Sequence, residues 1–95
     1  MNLAELRTKK PEIIKIADEY GVSDIRVFGS VARGDEGDNS DIDLMIKMKD
    51  GSIFEFLEFK NKVENLLHTK VDMVEIDIVR NPLRKRYMLD GAVPL

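Results

Sequence analysis

Two carboxylates, Asp41 and Asp43, stand at alternate positions where an acidic loop gives way to the apolar run Ile42-Asp43-Leu44-Met45-Ile46. Successive strand residues point to opposite faces, so alternate acids aim the same way, one strand repeat apart. Held there they repel each other unless a cation lies between them. Mg2+ takes hard oxygen ligands from one or two carboxylates and completes its shell with water and phosphate oxygens. Upstream, Gly29-Ser30 follows the apolar residues Ile25, Val27 and Phe28. Glycine lets the backbone approach a phosphate closely, and serine offers a hydroxyl donor. A helical turn beginning there adds free N–H groups and partial positive charge. An anion site beside a cation site is what a nucleoside triphosphate with its metal requires. A third carboxylate on a neighbouring strand would let two metal ions flank the reacting phosphorus, and Asp72 is the candidate.

Spacing excludes two other uses of the charged loop. Gly29-Ser30-Val31-Ala32-Arg33-Gly34 begins like a P-loop, but Asp35-Glu36 stand where Lys and Ser/Thr must meet phosphate and magnesium. A calcium loop needs oxygen ligands at alternate positions, Gly at the sixth and Glu at the twelfth, and neither Asp35 nor Asp38 as first ligand satisfies this. Asp35, Glu36 and Asp38 therefore read as solvated loop charges. Asp43 is harder to treat as incidental, because Asp is disfavoured inside strands and this one lies between Ile42 and Leu44. His68 ends a helical pattern and receives no catalytic role. Arg80, Arg84, Lys85 and Arg86 form a basic cluster, readable either as a solvated face or as a surface that steers an anionic partner or contacts nucleotide.

The elements that position these groups follow from periodicity. Ile13, Ile14, Ala17 and Tyr20 recur at helical spacing, Pro11 suits a first turn and Gly21 a stop, which predicts a helix over 11–20, preceded by another turn or two. A short strand over 25–28 runs into the Gly29 turn, and Ser30 to Arg33 make one helical turn closed by Gly34. Ile42, Leu44, Ile46 and Met48 alternate with Asp43, Met45 and Lys47, predicting a strand over 42–48. Asp50-Gly51 marks a turn and Ser52 an N-cap. Phe56, Phe59, Val63 and Leu66 then form the apolar stripe of an amphipathic helix, and Phe54, Phe56 and Phe59 are expected to pack in the core or along that helix. Val71 to Ile76 reads as a third strand with Asp72 near its start. A short helix over 82–90 and a Gly/Pro-bearing tail complete the chain. The predicted class is α/β (α+β), a small mixed sheet packed on one side by helices.

Composition sets the outer limits. The 95 residues are 43% apolar and 35% charged, as expected of one small globular domain spanning 1–95. A net charge of −3 argues against direct nucleic-acid binding, which relies on a broad positive field. The absence of cysteine excludes disulfides, thiolate metal sites and a thiol nucleophile. No segment resembles a signal peptide or a membrane span, so a soluble cytoplasmic location is expected.

Gly29-Ser30, ten intervening residues, Asp41-Ile42-Asp43 and a downstream Asp72 in "KVDMVE" resemble the signature of the DNA polymerase β-like nucleotidyltransferases. "VFGSVARGDEGDNSDIDLMI", "HTKVDMV" and the closing "GAVPL" resemble the minimal nucleotidyltransferase (MNT) family over nearly the whole chain. The resemblance implies a polymerase β-like core and transfer of a nucleoside monophosphate with loss of pyrophosphate. It implies ATP as substrate, with two Mg2+ ions held by Asp41, Asp43 and Asp72. Gly29 and Ser30 would hold the triphosphate, Asp72 would serve the catalytic metal and the nucleophile's proton, and Arg33 would touch phosphate. Val31 departs from the pattern, standing where many members carry Arg. The family is commonly paired with a HEPN-domain ribonuclease toxin, on which the MNT antitoxin adenylylates a tyrosine. Two alternatives remain at this level: a non-catalytic antitoxin that neutralises its toxin by complex formation, and nucleotidyl transfer to a small molecule or an RNA end.

Overall fold

The computed structural model describes residues 2–34, 41–49 and 52–95. Helix α1 (Leu3–Thr8) is capped by Asn2, whose side chain accepts the Glu5 N–H at 2.8 Å. Helix α2 (Lys10–Tyr20) carries Pro11 in its first turn and ends at Gly21, which takes the left-handed conformation (φ 71°). Strand β1 (Val22–Phe28) leads directly into the short helix α3 (Gly29–Arg33). Strand β2 (Ile42–Met48) is followed by helix α4 (Ile53–Leu67), where Ser52 accepts the Glu55 N–H at 3.1 Å as the predicted N-cap. Strand β3 (Val71–Glu75) passes into a 3-10 turn (Ile76–Ile78). Helix α5 (Pro82–Asp90) is capped by Asn81, and strand β4 (Val93–Pro94) closes the chain.

The four strands form one mixed sheet in the order β3-β2-β1-β4. β1 is antiparallel to both its neighbours, whereas β2 and β3 run parallel. Alternation along β2 sends Ile42, Leu44 and Ile46 to one face, where they meet Leu6, Ile13, Ala17, Phe59 and Val63 from α1, α2 and α4. Burial of these aliphatic and aromatic side chains is the main force holding the sheet to its helices.

The differences from the sequence-based expectations have local causes. β1 starts at Val22 rather than Ile25, because its first residues pair with β2 across a register shift between Val22 and Asp24 that breaks the simple alternation. Helices also do not keep to one side of the sheet. Met45, on the face of Asp43, is 2% exposed and lines a cleft with Ile76, Lys85 and Leu89 of the 3-10 turn and α5. Of the three phenylalanines expected in the core or packed along the helix, Phe59 is fully buried and Phe56 half-buried, but Phe54 is 67% exposed. Ile76 leaves the third strand to begin the 3-10 turn. The Asp50-Gly51 turn and the loop acids Asp35, Glu36 and Asp38 lie outside the described residues. Among the described residues no helix is long and apolar enough to cross a membrane.

Candidate active site

The period-two pattern of β2 turns Asp43 away from the core formed by Ile42 and Leu44, and strand pairing determines what it meets there. In the antiparallel register Asp43 lies opposite Phe28, the last residue of β1, so its carboxylate reaches the turn that follows. Gly29 has φ 73°, and a β-carbon built on it would overlap the Asp43 Oδ2 and lie 3.0 Å from its Cγ. Glycine is thus required twice, by a left-handed backbone and by the carboxylate packed against it. On the other side, the parallel register pairs Ile42 with Val71 and Asp43 with Asp72. Ile42 and Val71 are fully buried, so the next pair projects two acids from the opposite face.

Burial holds the Asp43 carboxyl above its ordinary value, and the negative charges of Asp72 and then Asp41 push it further, while Arg33 acts in the opposite sense. All three acids and Arg33 therefore share one electrostatic neighbourhood. The closing Gly34, also left-handed at φ 77°, ends α3 immediately after Arg33. Ser30, the second residue of α3, is half-buried beside the glycine turn. Val31 is 1% exposed and belongs to the hydrophobic core, so this position offers no phosphate contact.

The three acids are unequally placed. Asp41 precedes β2, and its carboxylate stands 3.9 Å from Lys70 Nζ, the residue just before β3. Asp72 is exposed on the edge strand. Among the described residues no group of three His, Cys, Asp or Glu side chains is gathered into a metal cage. Like charges without a cation repel, and the Lys70 ammonium supplies Asp41 with a counter-charge. The donor set nevertheless fits a hard divalent cation, since it offers carboxylate oxygens only and its central member is disfavoured as an anion by its two neighbours. Lys70 went unnoticed in the sequence. Its one signal was adjacency to the Asp72 strand, and its proximity to Asp41 depends on the β2–β3 junction, where the Ile42 N–H donates to the Lys70 carbonyl at 3.2 Å.

The chain as a whole has counterparts among known proteins. The profile of the polymerase beta nucleotidyltransferase family matches residues 11–93. A Methanocaldococcus jannaschii protein named as a candidate protein adenylyltransferase is 36% identical over 94 residues, covering 96% of this chain and 92% of the relative. A solved structure of a candidate minimal nucleotidyltransferase is 32% identical and superposes with a TM-score of 0.86, covering 100% of this chain and 97% of its own. A chain in the complex of a tri-AMPylated Shewanella oneidensis HEPN toxin with an MNT antitoxin shares the fold at a TM-score of 0.67 and 19% identity, over 93% of this chain and 69% of its own. The acids project from a sheet whose fold and sequence both match this group, and the chain belongs to the polymerase beta nucleotidyltransferase family, in its minimal form.

Proposed function

We propose that this nucleotidyltransferase transfers AMP from Mg-ATP to a tyrosine hydroxyl of a HEPN-type toxin and thereby acts as its antitoxin. The observation that carries the reading is the seating of Asp43 between the Gly29 turn and Asp72, which puts the glycine turn against a carboxylate pair. Similarity to a candidate protein adenylyltransferase supports a protein acceptor. The fold shared with the MNT antitoxin complex supports a HEPN-type protein as that acceptor.

In this assignment the Gly29 backbone and the Ser30 hydroxyl donate to phosphate oxygens, and Arg33 adds positive charge on the same side. Asp41 and Asp43 would hold two Mg2+ ions, one of them shared with Asp72. When bound, the ions make the acceptor hydroxyl more acidic and stabilise the charge of the departing pyrophosphate. Asp72, exposed at the sheet edge, receives the phenolic proton and passes it to solvent. The phenolic oxygen forms a bond to the α-phosphorus, the bond from that phosphorus to the αβ-bridging oxygen breaks, and pyrophosphate leaves. Tyrosine suits such a site because its hydroxyl has an ordinary pKa of about 10, far below that of serine. Transfer requires the acceptor to bring its tyrosine in line with the α-phosphate, so catalysis depends on complex formation.

Intact-mass spectrometry of a HEPN-type partner mixed with Mg-ATP and the wild-type chain tests this. One or more AMP additions and loss of ribonuclease activity are expected. The pair Asp41→Ala and Asp43→Ala should bind the partner and leave its mass unchanged. A partner that stays unmodified yet is inhibited equally by wild type and double variant would replace the enzymatic reading with neutralisation by binding.

A further inference from the structure

A second face carries apolar surface that its own chain leaves uncovered. Ile53 and Phe54 at the start of α4, Ile78 in the 3-10 turn, and Leu83 and Tyr87 on α5 are each between 67% and 80% exposed. No residue of α5 is buried. Between these elements runs an open groove of about 600 Å3, lined by Met48, Ile53, Phe56, Met73 and Ile78, with Arg80 and Arg84 along it. It is distinct from the acid site. Met73, Val74 and Glu75 of β3 line the groove, beginning one residue beyond Asp72, whereas Asp41, Asp43 and Asp72 do not.

Neither Arg80 nor Arg84 has an ion-pair partner among the described residues, in a chain whose net charge is −3. On α5, Leu83, Arg84 and Tyr87 fall on one face, since residues three and four apart are neighbours on a helix. Apolar side chains thus extend from the groove onto α4 and α5, and two guanidinium groups accompany them. We propose that this face docks the acceptor protein through an amphipathic helix whose apolar stripe enters the groove and whose flanking carboxylates pair with Arg80 and Arg84. Large side chains spaced one helical turn apart suit a groove bounded by two helices, and carboxylates complement guanidinium groups that are unpaired among the described residues. The inference rests on the protein-acceptor reading above and adds where that acceptor is held. An occupant of the groove lies against the strand that carries Asp72, which brings its tyrosine within reach of the acids.

The test pairs the full chain with a HEPN-type protein from the same genome and measures affinity by calorimetry and transfer by intact mass. Leu83→Asp with Tyr87→Asp should weaken the complex by about 30-fold or more, and Arg84→Glu by about tenfold. Both should raise the acceptor KM, leave kcat at saturating acceptor and ATP affinity unchanged, and melt within about 2 °C of wild type, because the altered side chains are exposed. Wild-type binding matched by both variants overturns the docking surface and leaves the transfer reading intact. A wild type that neither binds nor modifies the HEPN-type protein overturns both. Weakened ATP binding assigns the groove to nucleotide, and variants that abolish a homodimer seen by sedimentation assign it to a second copy; either result overturns the proposal.

Discussion

The two ends of β3 differ in chemistry. At its start Asp72 joins Asp43 in a crowded, charged corner, where a single β-carbon on Gly29 would strike a carboxylate. Beyond it, Met73, Val74 and Glu75 line a groove that is flanked by exposed apolar side chains and whose cations are unpaired among the described residues. In the first region the close contact between Gly29 and Asp43 leaves no room for a larger residue at position 29. The exposed side chains that flank the second, Ile53, Phe54, Ile78, Leu83 and Tyr87, owe little to internal packing, so substitutions there should spare stability and alter association. On the proposed reading, chemistry and acceptor choice are separated along one five-residue strand.

The sharpest way to break this contrast is at Asp43. Asp43→Ala should reduce AMP transfer by about 1,000-fold or more in single-turnover mass spectrometry, with partner affinity unchanged, because it removes the central carboxylate of the proposed cation site. A variant that transfers normally would move the chemistry away from this corner.

Gly29 and Gly21 offer a matched pair. Both have positive φ, but a β-carbon at Gly21 meets nothing within 4 Å. Gly21→Ala should cost about 1 kcal/mol from the left-handed backbone alone and leave transfer intact. Gly29→Ala should cost about 1 to 3 kcal/mol more, and transfer should fall with it because the Asp43 carboxylate must move. Urea denaturation of the two variants checks the difference. Ser30→Ala, which removes one hydroxyl donor to a charged acceptor, should weaken Mg-ATP binding by about 1.5 to 3 kcal/mol in calorimetry.

Electrostatics in the metal-free chain sharpen the comparison further. The folded state raises the Asp43 pKa above the ordinary value of 3.8, so it holds that proton more tightly than the unfolded chain does. The group's favourable contribution is complete below that ordinary value and is lost as pH rises through the raised one. In EDTA at neutral pH, Asp43→Asn should therefore melt above wild type, and the gap should close on acidification towards about pH 4. Mg2+ should raise the wild-type melting temperature and leave that of Asp43→Asn nearly unchanged. The smallest effect is expected from Lys70→Met. Its ion pair with Asp41 spans 3.9 Å between largely exposed side chains, and stability should change by about 0.5 kcal/mol or less.

Much of this architecture was legible locally. β2 has the bounds its alternation predicts, α5 runs from Pro82 to Asp90 as read, and Ser52 caps α4. These features depend on neighbours within a turn or a strand. β1 was read short because Ser23 and Asp24 are polar and exposed, and a two-residue strand such as β4 carries no periodicity at all. Phe54 was misplaced because a cluster of aromatic residues does not reveal which of them face solvent.

The sequence by itself determined that Asp43 leaves the core face of its strand, that Gly29 follows a strand end, and that Asp72 begins another strand. Alternation and glycine permissiveness are properties of adjacent residues. Only the tertiary structure decided that these three meet. The register pairing Ile42 with Val71 and Phe28 with Asp43 joins segments far apart in the chain, and it is selected by which side chains fit together in the buried layer. The groove was decided in the same way, because the exposure of Ile53, Phe54 and Leu83 depends on where α4 and α5 come to rest against the sheet.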